Sequence, residues 1–312
     1  MRNKVVVIFF VLISIFIISC SQGDVKKIDE TPTRGNIKIG VDESFQLLVM
    51  AEIDAFQSMY KYATINPSYR PENDLFSDFF KDSIRLMITT RKLTPQEEEG
   101  LKSNNIIART TKIAYDALAF IIHKENPDSL IKFETIREIF SGNVSQWNQI
   151  NSKSKLKEIR LVFDNPKSAN VRFIMERFSL PVQFPDYCAA VNSNDEVINY
   201  VEKNKNAIGV ISVNWISDKA DTVSNKFLSK VKVVAVGSAL GNNEYMLPYQ
   251  AYIAEKSYPF IREVFMINRE SFSGLGSGFT AYVAGEIGQR VVLRSGLVPA
   301  TMPIRLVQFK KE

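Results

Sequence analysis

Short apolar runs alternate along the chain with longer segments whose apolar residues recur at helical spacing. The runs predict strands over residues 36–41, 84–90, 117–123, 159–163, 207–212 and 304–309. The longer segments predict helices over residues 43–60, 133–140, 168–178, 195–203 and 279–293. Strands that alternate with helices in this way are typical of α/β proteins with parallel sheets covered on both faces.

Two local signals mark where helices begin and end. Thr94, Pro95 and Glu97 supply a capping hydroxyl, a proline at the first helical position and the acid of a capping box. The helix over 133–140 is expected to stop at Ser141-Gly142, because glycine readily adopts the conformation that ends a helix.

Three predicted strand-to-helix junctions are rich in short polar side chains, at residues 40–44, 89–91 and 164–170. In α/β sheets the ligand binds at the carboxyl ends of strands, where helices begin. A helix N-terminus with free N–H groups and nearby hydroxyls can hold an oxyanion without a metal ion. The same residue types are also the favoured helix caps, so the pattern alone leaves both interpretations open.

The first twenty residues have the composition of a secretory leader. A basic start at residues 1–4 precedes an apolar run over 5–18, which is shorter than the roughly 20 residues that a membrane span needs. We therefore predict a signal peptide over residues 1–19. The junction before Cys20 resembles the bacterial lipobox, which makes Cys20 the predicted lipidation site and 20–34 a lipidated cysteine with a flexible tether. An ordinary leader with an incidental cysteine is the alternative.

The composition narrows the classes of function. The formal charge of +5 falls to about +3 without the leader and is evenly spread, which argues against nucleic acid. His123 is the single histidine and ends an apolar run, which argues against a histidine-based hydrolase or metal site. Cys188 is predicted to be a small buried side chain. We therefore expect a protein that is not an enzyme and that uses no metal and no cofactor.

The glycine-rich stretch at residues 274–278 invites a phosphate-loop interpretation. It follows no predicted strand and lacks the downstream Lys-Ser/Thr of that motif, so we interpret it as a flexible entry to the last helix.

Four stretches resemble, in the right order, the phosphate-binding proteins of bacterial phosphate ABC importers. They are residues 115–127, 133–147 with Phe140-Ser141-Gly142 and Trp147, 206–211 with Ala207-Ile208-Gly209, and 285–299. The resemblance extends from Gly35 to Phe309. It implies an α/β, two-lobed periplasmic-binding-protein fold of type II, in which each lobe is a mostly parallel sheet flanked by helices. Lobe I would comprise residues 35–115 and 251–312, and lobe II residues 116–250.

The resemblance also implies a set of ligand-binding residues in the cleft between the lobes: Ser44, Thr89, Thr90, Arg91, Ser168, Ala169 and Asn170. Asp42 and Glu43 stand where the family has Ser or Thr, and Asp164-Asn165 replace its arginine. Such acids would repel a dianion. Either Arg70 or Lys167 compensates for them, or the ligand is an oxyanion other than phosphate.

The function implied by the resemblance is capture of an oxyanion, with inorganic phosphate as the expected ligand, for an ABC permease. The expected location is the bacterial cell envelope, with the lipid anchor in a membrane and the protein facing the periplasm or exterior. The alternative is a sensor or structural envelope lipoprotein of the same fold whose ligand site has degenerated.

Overall fold

The computed structural model describes residues 30–181, 184–217, 222–241 and 244–301. The predicted leader, Cys20, most of the tether and the strand predicted at 304–309 lie outside these residues. Inside them, no helix combines the length and apolar character that crossing a membrane requires.

The strands are β1 Gly35–Asp42, β2 Ala63–Arg70, β3 Leu86–Thr89, β4 Arg109–His123, β5 Leu130–Ile131, β6 Arg160–Phe163, β7 Cys188–Ala190, β8 Ala207–Ser212, β9 Val231–Val233, β10 Ala235–Gly237, β11 Tyr245–Met246, β12 Ile261–Asn268 and β13 Val298–Pro299. The helices are α1 Gln46–Met59, α2 Glu72–Phe80, α3 Pro95–Lys102, α4 Phe133–Ser141, α5 Trp147–Ile150, α6 Ala169–Phe178, α7 Asn194–Lys203, α8 Thr222–Lys230, α9 Gln250–Ala254, α10 Leu275–Ala284 and α11 Glu286–Arg294. Turns of 3₁₀ helix occupy Glu43–Phe45 and Val213–Trp215.

One long strand joins two halves of a continuous sheet. The strand order is β2-β1-β3-β12-β4-β8-β6-β7. β4 pairs with β12 up to Ala117 and with β8 from Leu118 onward, so its two ends belong to different halves. β1 runs parallel to β2 and β3, and β6 runs parallel to β7 and β8, whereas β12 and β4 are antiparallel to their neighbours. The predicted α/β class, with mostly parallel sheets flanked by helices, is confirmed.

The central strands are buried on both faces, which explains why they appear in the sequence as continuous apolar runs. Every residue of β3 and of β8 is buried. In the first half, Phe56 of α1 packs against the rings of Phe279 and Tyr282 at centroid separations of 5.3 and 5.2 Å. Burial of one such side chain contributes roughly 1.5–3 kcal/mol, so these contacts hold the terminal helices against the sheet.

Both local helix signals are confirmed. The Thr94 hydroxyl accepts a hydrogen bond from Glu97 N at 3.2 Å, and the Glu97 carboxylate accepts one from Thr94 N at 2.8 Å. α4 ends at Gly142, whose φ of +88° lies in the left-handed region that favours glycine. These ends were predictable because capping depends on residues only a few positions apart.

The prediction of one helix over 279–293 is wrong, because α10 and α11 are separate helices that meet at Gly285. They fold tightly against each other: a Cβ at Gly288 would lie 2.4 Å from the Cα of Val283.

The predicted flexible entry at 274–278 is also wrong. α10 begins at Leu275, and the Glu270 carboxylate accepts hydrogen bonds from the N–H groups of Gly276 and Ser277 at 3.0 and 2.8 Å.

The apolar pattern missed several elements, among them β2, β12 and α2. β2 is an edge strand that contains Pro67 and buries only Ala63 and Ile65, so its apolar signal is weak. α2 is nine residues long and follows Pro71 directly. The omission matters because Glu72, the first residue of α2, proves central to the cleft.

Candidate functional site

A cluster of buried polar residues lies where the strands of the two halves end and their helices begin. Its members, all buried, are Asp42, Ser44, Glu72, Thr89, Thr90, Asp116, Asp164, Ser168, Asn170, Asn194, Ser212, Asn214 and Arg262. Buried polar groups are costly unless they are hydrogen-bonded. The partners of these side chains therefore define what this cleft cluster can bind.

The first corner of the cleft holds a carboxylate oxygen among hydroxyl, amide and guanidinium donors. Oε1 of Glu72 accepts hydrogen bonds from Thr89 Oγ1 at 2.6 Å, Thr90 N at 2.9 Å and Thr90 Oγ1 at 2.8 Å. Arg172 of α6, from the other half of the sheet, donates from Nε to Glu72 Oε2 at 2.5 Å and from Nη2 to Thr90 Oγ1 at 2.7 Å. This corner is therefore built to hold a negatively charged oxygen.

The pKa of Glu72 reflects this corner. Burial alone would raise the pKa of this carboxyl, but the charge of Arg172 and the hydrogen bonds from Arg172 and the two threonines lower it to about 2. Glu72 is therefore ionised at any physiological pH, and the donors around it stabilise that charge.

The second corner joins the first loop to the β6–α6 junction. Ser44 Oγ donates to Asn170 Oδ1 at 3.3 Å, while the Ser44 carbonyl accepts from Asn214 Nδ2 at 3.2 Å and Trp215 Nε1 at 3.1 Å. Ser168 caps α6, and its hydroxyl donates to Asp164 Oδ1 at 2.7 Å. All the partners of Ser44 that come from the other half are polar side chains, so the halves meet here through hydrogen bonds.

Two carboxyls of the cluster, Asp42 and Asp164, and the adjacent Glu43 have pKa values raised toward neutrality. Burial, with repulsion from Glu72 next in size, raises the pKa of Asp42 to about 7. Burial also raises the pKa of Glu43 to about 8 and that of Asp164 to about 6. Glu43 accepts from the backbone N and the Nδ2 of Asn194 across the cleft. These groups exchange protons near neutral pH, so the charge of the cleft depends on pH.

The structure brings together five of the predicted ligand residues: Ser44, Thr89, Thr90, Ser168 and Asn170. Ala169 is buried in the first turn of α6 beside them. Arg91 is engaged elsewhere. Its guanidinium binds both carboxylate oxygens of Glu97 at 2.8 and 2.9 Å and stacks on Phe76 at 3.4 Å from the ring centroid. Arg91 therefore makes no hydrogen bond to the cleft cluster among the described residues.

Neither proposed compensating cation reaches the acids of the first loop. Arg70 pairs with Asp78 at 2.7 Å, and Lys167 pairs with Asp74 at 3.2 Å, both at exposed positions. The compensating charges belong to Arg172 and Arg262, which sequence reasoning missed. A signal existed for Arg172, because it lies four residues after Ser168 and hence on the same face of α6. Arg262 sits within an apolar strand and gave no local signal.

His123 and Cys188 lie outside the cluster. His123 Nδ1 accepts a hydrogen bond from Glu125 N at 3.1 Å. Cys188 is partly buried, and burial raises the pKa of its thiol to about 12, which keeps the group protonated. In the ranges that the structure describes, no group of three or more His, Cys, Asp or Glu side chains could hold a metal ion.

Comparison with known proteins places this chain in one family. A family model described as a PBP superfamily domain matches residues 29–286, so the chain belongs to the PBP superfamily. Among curated relatives, the phosphate-binding protein PstS of Staphylococcus aureus strain USA300 is 27% identical over 198 residues. That match covers 62% of this chain and 56% of the relative, so the chain spans about half of that protein's length.

Solved structures share the fold at low sequence identity. A phosphate-bound structure from Clostridium perfringens superposes with a TM-score of 0.73 at 19% identity, covering 86% of this chain and all of the other. An ABC-type phosphate transport receptor from Vibrio cholerae gives a TM-score of 0.63 at 17% identity, covering 85% of this chain and all of the other.

Proposed function

We propose that this protein is an extracytoplasmic binding protein that captures an oxyanion, with phosphate as the ligand, in the cleft for an ABC importer. It acts by binding and release, without a catalytic step. The curated and structural relatives, whose names state phosphate binding, support this assignment. The observation that carries it is the first corner of the cleft, where donors from both halves converge on the carboxylate of Glu72.

The donors at this corner are the kinds that hold tetrahedral oxyanions. Hydroxyls, a backbone N–H and a forked guanidinium give short, charge-assisted hydrogen bonds with defined directions. They come from β3 and its following residue on one side and from α6 on the other. An anion held between them would draw the two halves together, which is how a two-lobed binding protein signals that it is loaded.

The ligand set that we propose is Ser44, Thr89, Thr90, Arg91, Ser168, Ala169 and Asn170. To serve there, Arg91 must leave Glu97. We further propose lobes of residues 35–115 with 251–312 and of residues 116–250. The exchange of β4 partners between Ala117 and Leu118 supports the first boundary.

Delivery to a permease requires the protein to remain at the membrane. We propose that the leader is removed behind Ser19, that Cys20 is lipidated, and that residues 21–34 tether the binding domain to the cell envelope. The lipobox-like junction before Cys20 supports this arrangement.

Calorimetric titration of the purified protein with phosphate, sulfate and an organic phosphate tests the proposal. We expect saturable binding of phosphate with one site per chain. If none of these anions binds, the transport assignment is wrong, and a sensor or structural envelope role takes its place.

A further inference from the structure

Arg262 is the most deeply buried cation of the cleft. It lies on β12 directly opposite Asp116 of β4, at the point where the two halves of the sheet join. Its Nε donates to Asp116 Oδ2 at 2.8 Å, and the two side chains are 1% and 0% exposed. Asp116 Oδ1 also accepts from Ser212 Oγ at 2.9 Å. The pair is thus fixed between strands of both halves.

Most of the donors of Arg262 are not used by this pair. Nη1 and Nη2 are buried, and neither has a hydrogen-bond partner among the described residues. A guanidinium carries five N–H donors in a rigid fork, four of them on these two nitrogens. Buried donors without hydrogen-bond partners destabilise a protein, and the cost is larger when the group is charged. In a purely structural ion pair, two guanidinium nitrogens would donate to the two oxygens of the carboxylate, as those of Arg91 do with Glu97.

The guanidinium of Arg262 lies against the first loop. Its carbon sits 5.4 Å from the ring centroid of Phe45, the residue after Ser44. Two acceptors in this region are also buried without a partner in the described chain, Asp42 Oδ2 and Asn214 Oδ1. The positive charge of Arg262 lowers the otherwise raised pKa values of Asp42 and Asp164, which places it near both carboxyls. Unused donors and acceptors therefore lie in the region of the first loop.

We propose that Arg262 binds the captured oxyanion through Nη1 and Nη2, from β12 at the junction of the two halves of the sheet. This inference rests on the proposed function and specifies its site. A tetrahedral oxyanion presents two oxygens at the spacing of the guanidinium fork. Because Arg262 also holds Asp116, the anion is tied to the junction of the two halves.

The test compares substitutions of Arg262 by phosphate titration and thermal unfolding. Arg262→Lys keeps the charge and can keep the pair with Asp116, but it removes the fork. Arg262→Gln leaves Asp116 buried without its partner, so the double variant Arg262→Gln/Asp116→Asn removes the pair as a unit and preserves folding. Arg177→Gln is the matched control. Arg177 is a nearby arginine that donates to Pro259 O at 3.2 Å and stacks on Phe133.

We expect the double variant to unfold cooperatively and to bind phosphate about 30-fold or more weakly, as when one partner of a buried charge contact is removed. Arg262→Lys should also weaken binding by about tenfold or more, while Arg177→Gln should bind like the parent. Parent-like phosphate affinity in folded Arg262→Lys and in the double variant would overturn the inference and leave the proposed function intact. If the parent itself binds no oxyanion, the proposed function fails, and the role of Arg262 fails with it.

Discussion

Replacing Glu72 by Gln should make the protein less stable and at the same time a tighter binder of phosphate. In the native structure the ionised Glu72 carboxylate accepts hydrogen bonds from Thr89, Thr90 and Arg172, the donors that an incoming anion needs. Phosphate must displace this carboxylate or bind beside it. Glutamine has the same shape but no charge, so it competes less for the donors and repels the anion less.

The expected sizes follow from burial and charge. Glu72 is fully buried and its partner Arg172 is 19% exposed. Removing one partner of a buried pair costs about 3–5 kcal/mol, and we expect the lower end because Arg172 also pairs with Glu176 at 2.6 Å. That loss lowers the unfolding temperature by roughly 6–12 °C. Two unit charges about 6 Å apart repel by about 3 kcal/mol at an effective dielectric constant of 20. Phosphate affinity should therefore rise by about tenfold to 100-fold.

Glu270→Gln provides the matched control. Glu270 is another buried carboxylate, which accepts from Gly276 N, Ser277 N and Ser277 Oγ at the start of α10 rather than in the cleft. It should lose stability without a change in phosphate affinity. The assays are differential scanning calorimetry and isothermal titration at pH 7. Unchanged or weaker phosphate binding by a folded Glu72→Gln protein would refute the competition between Glu72 and the ligand.

Four further outcomes are expected. The pKa values of Asp42 and Glu43 are raised to about 7 and 8, so the native state holds more protons than the unfolded chain between pH 5 and pH 8. The free energy of unfolding, measured by urea titration, should therefore fall from pH 5 to pH 8. Asp42→Asn should make this fall smaller. Burial raises the pKa of Glu52 to about 9, and both its carboxylate oxygens lack hydrogen-bond partners within the described chain. Glu52→Met should therefore raise the free energy of unfolding at pH 8 by on the order of 2 kcal/mol. A lower unfolding temperature would contradict this. Thr94→Ala removes the cap of α3 and should cost about 1 kcal/mol in chemical denaturation, whereas Thr94→Ser should be close to neutral. Cys20→Ala should release the protein from membranes, and unchanged mass and fractionation would exclude lipidation.

Much of the fold was predictable because its signals are local. Periodicity located the buried strands β1, β3, β6 and β8 and the second half of β4, but not β12. The capping box at Thr94 and the stop at Gly142 needed only neighbouring residues. The failures came where a long-range contact decides the conformation. The break at Gly285 depends on the packing of α11 against α10, and β2 is held as an edge strand by its parallel pairing with β1 rather than by its own apolar pattern.

The cleft was predictable only in part for the same reason. Thr89, Thr90, Ser168 and Asn170 were identified because they stand at strand-to-helix junctions, a position that the sequence reveals. The tertiary structure decided which charged side chains lie beside these residues.

The sequence by itself thus determined the class of fold, the start of α3, the end of α4 and the junctions that form the cleft. Only the tertiary structure paired Glu72 with Arg172, 100 residues apart, and Asp116 with Arg262, 146 residues apart. Such pairs depend on the register of β4 and β12 and on how the two halves close, which no local pattern encodes. Burial then changes the energy of each charge, so the same acids that look like helix caps in the sequence set the charge and proton content of the cleft.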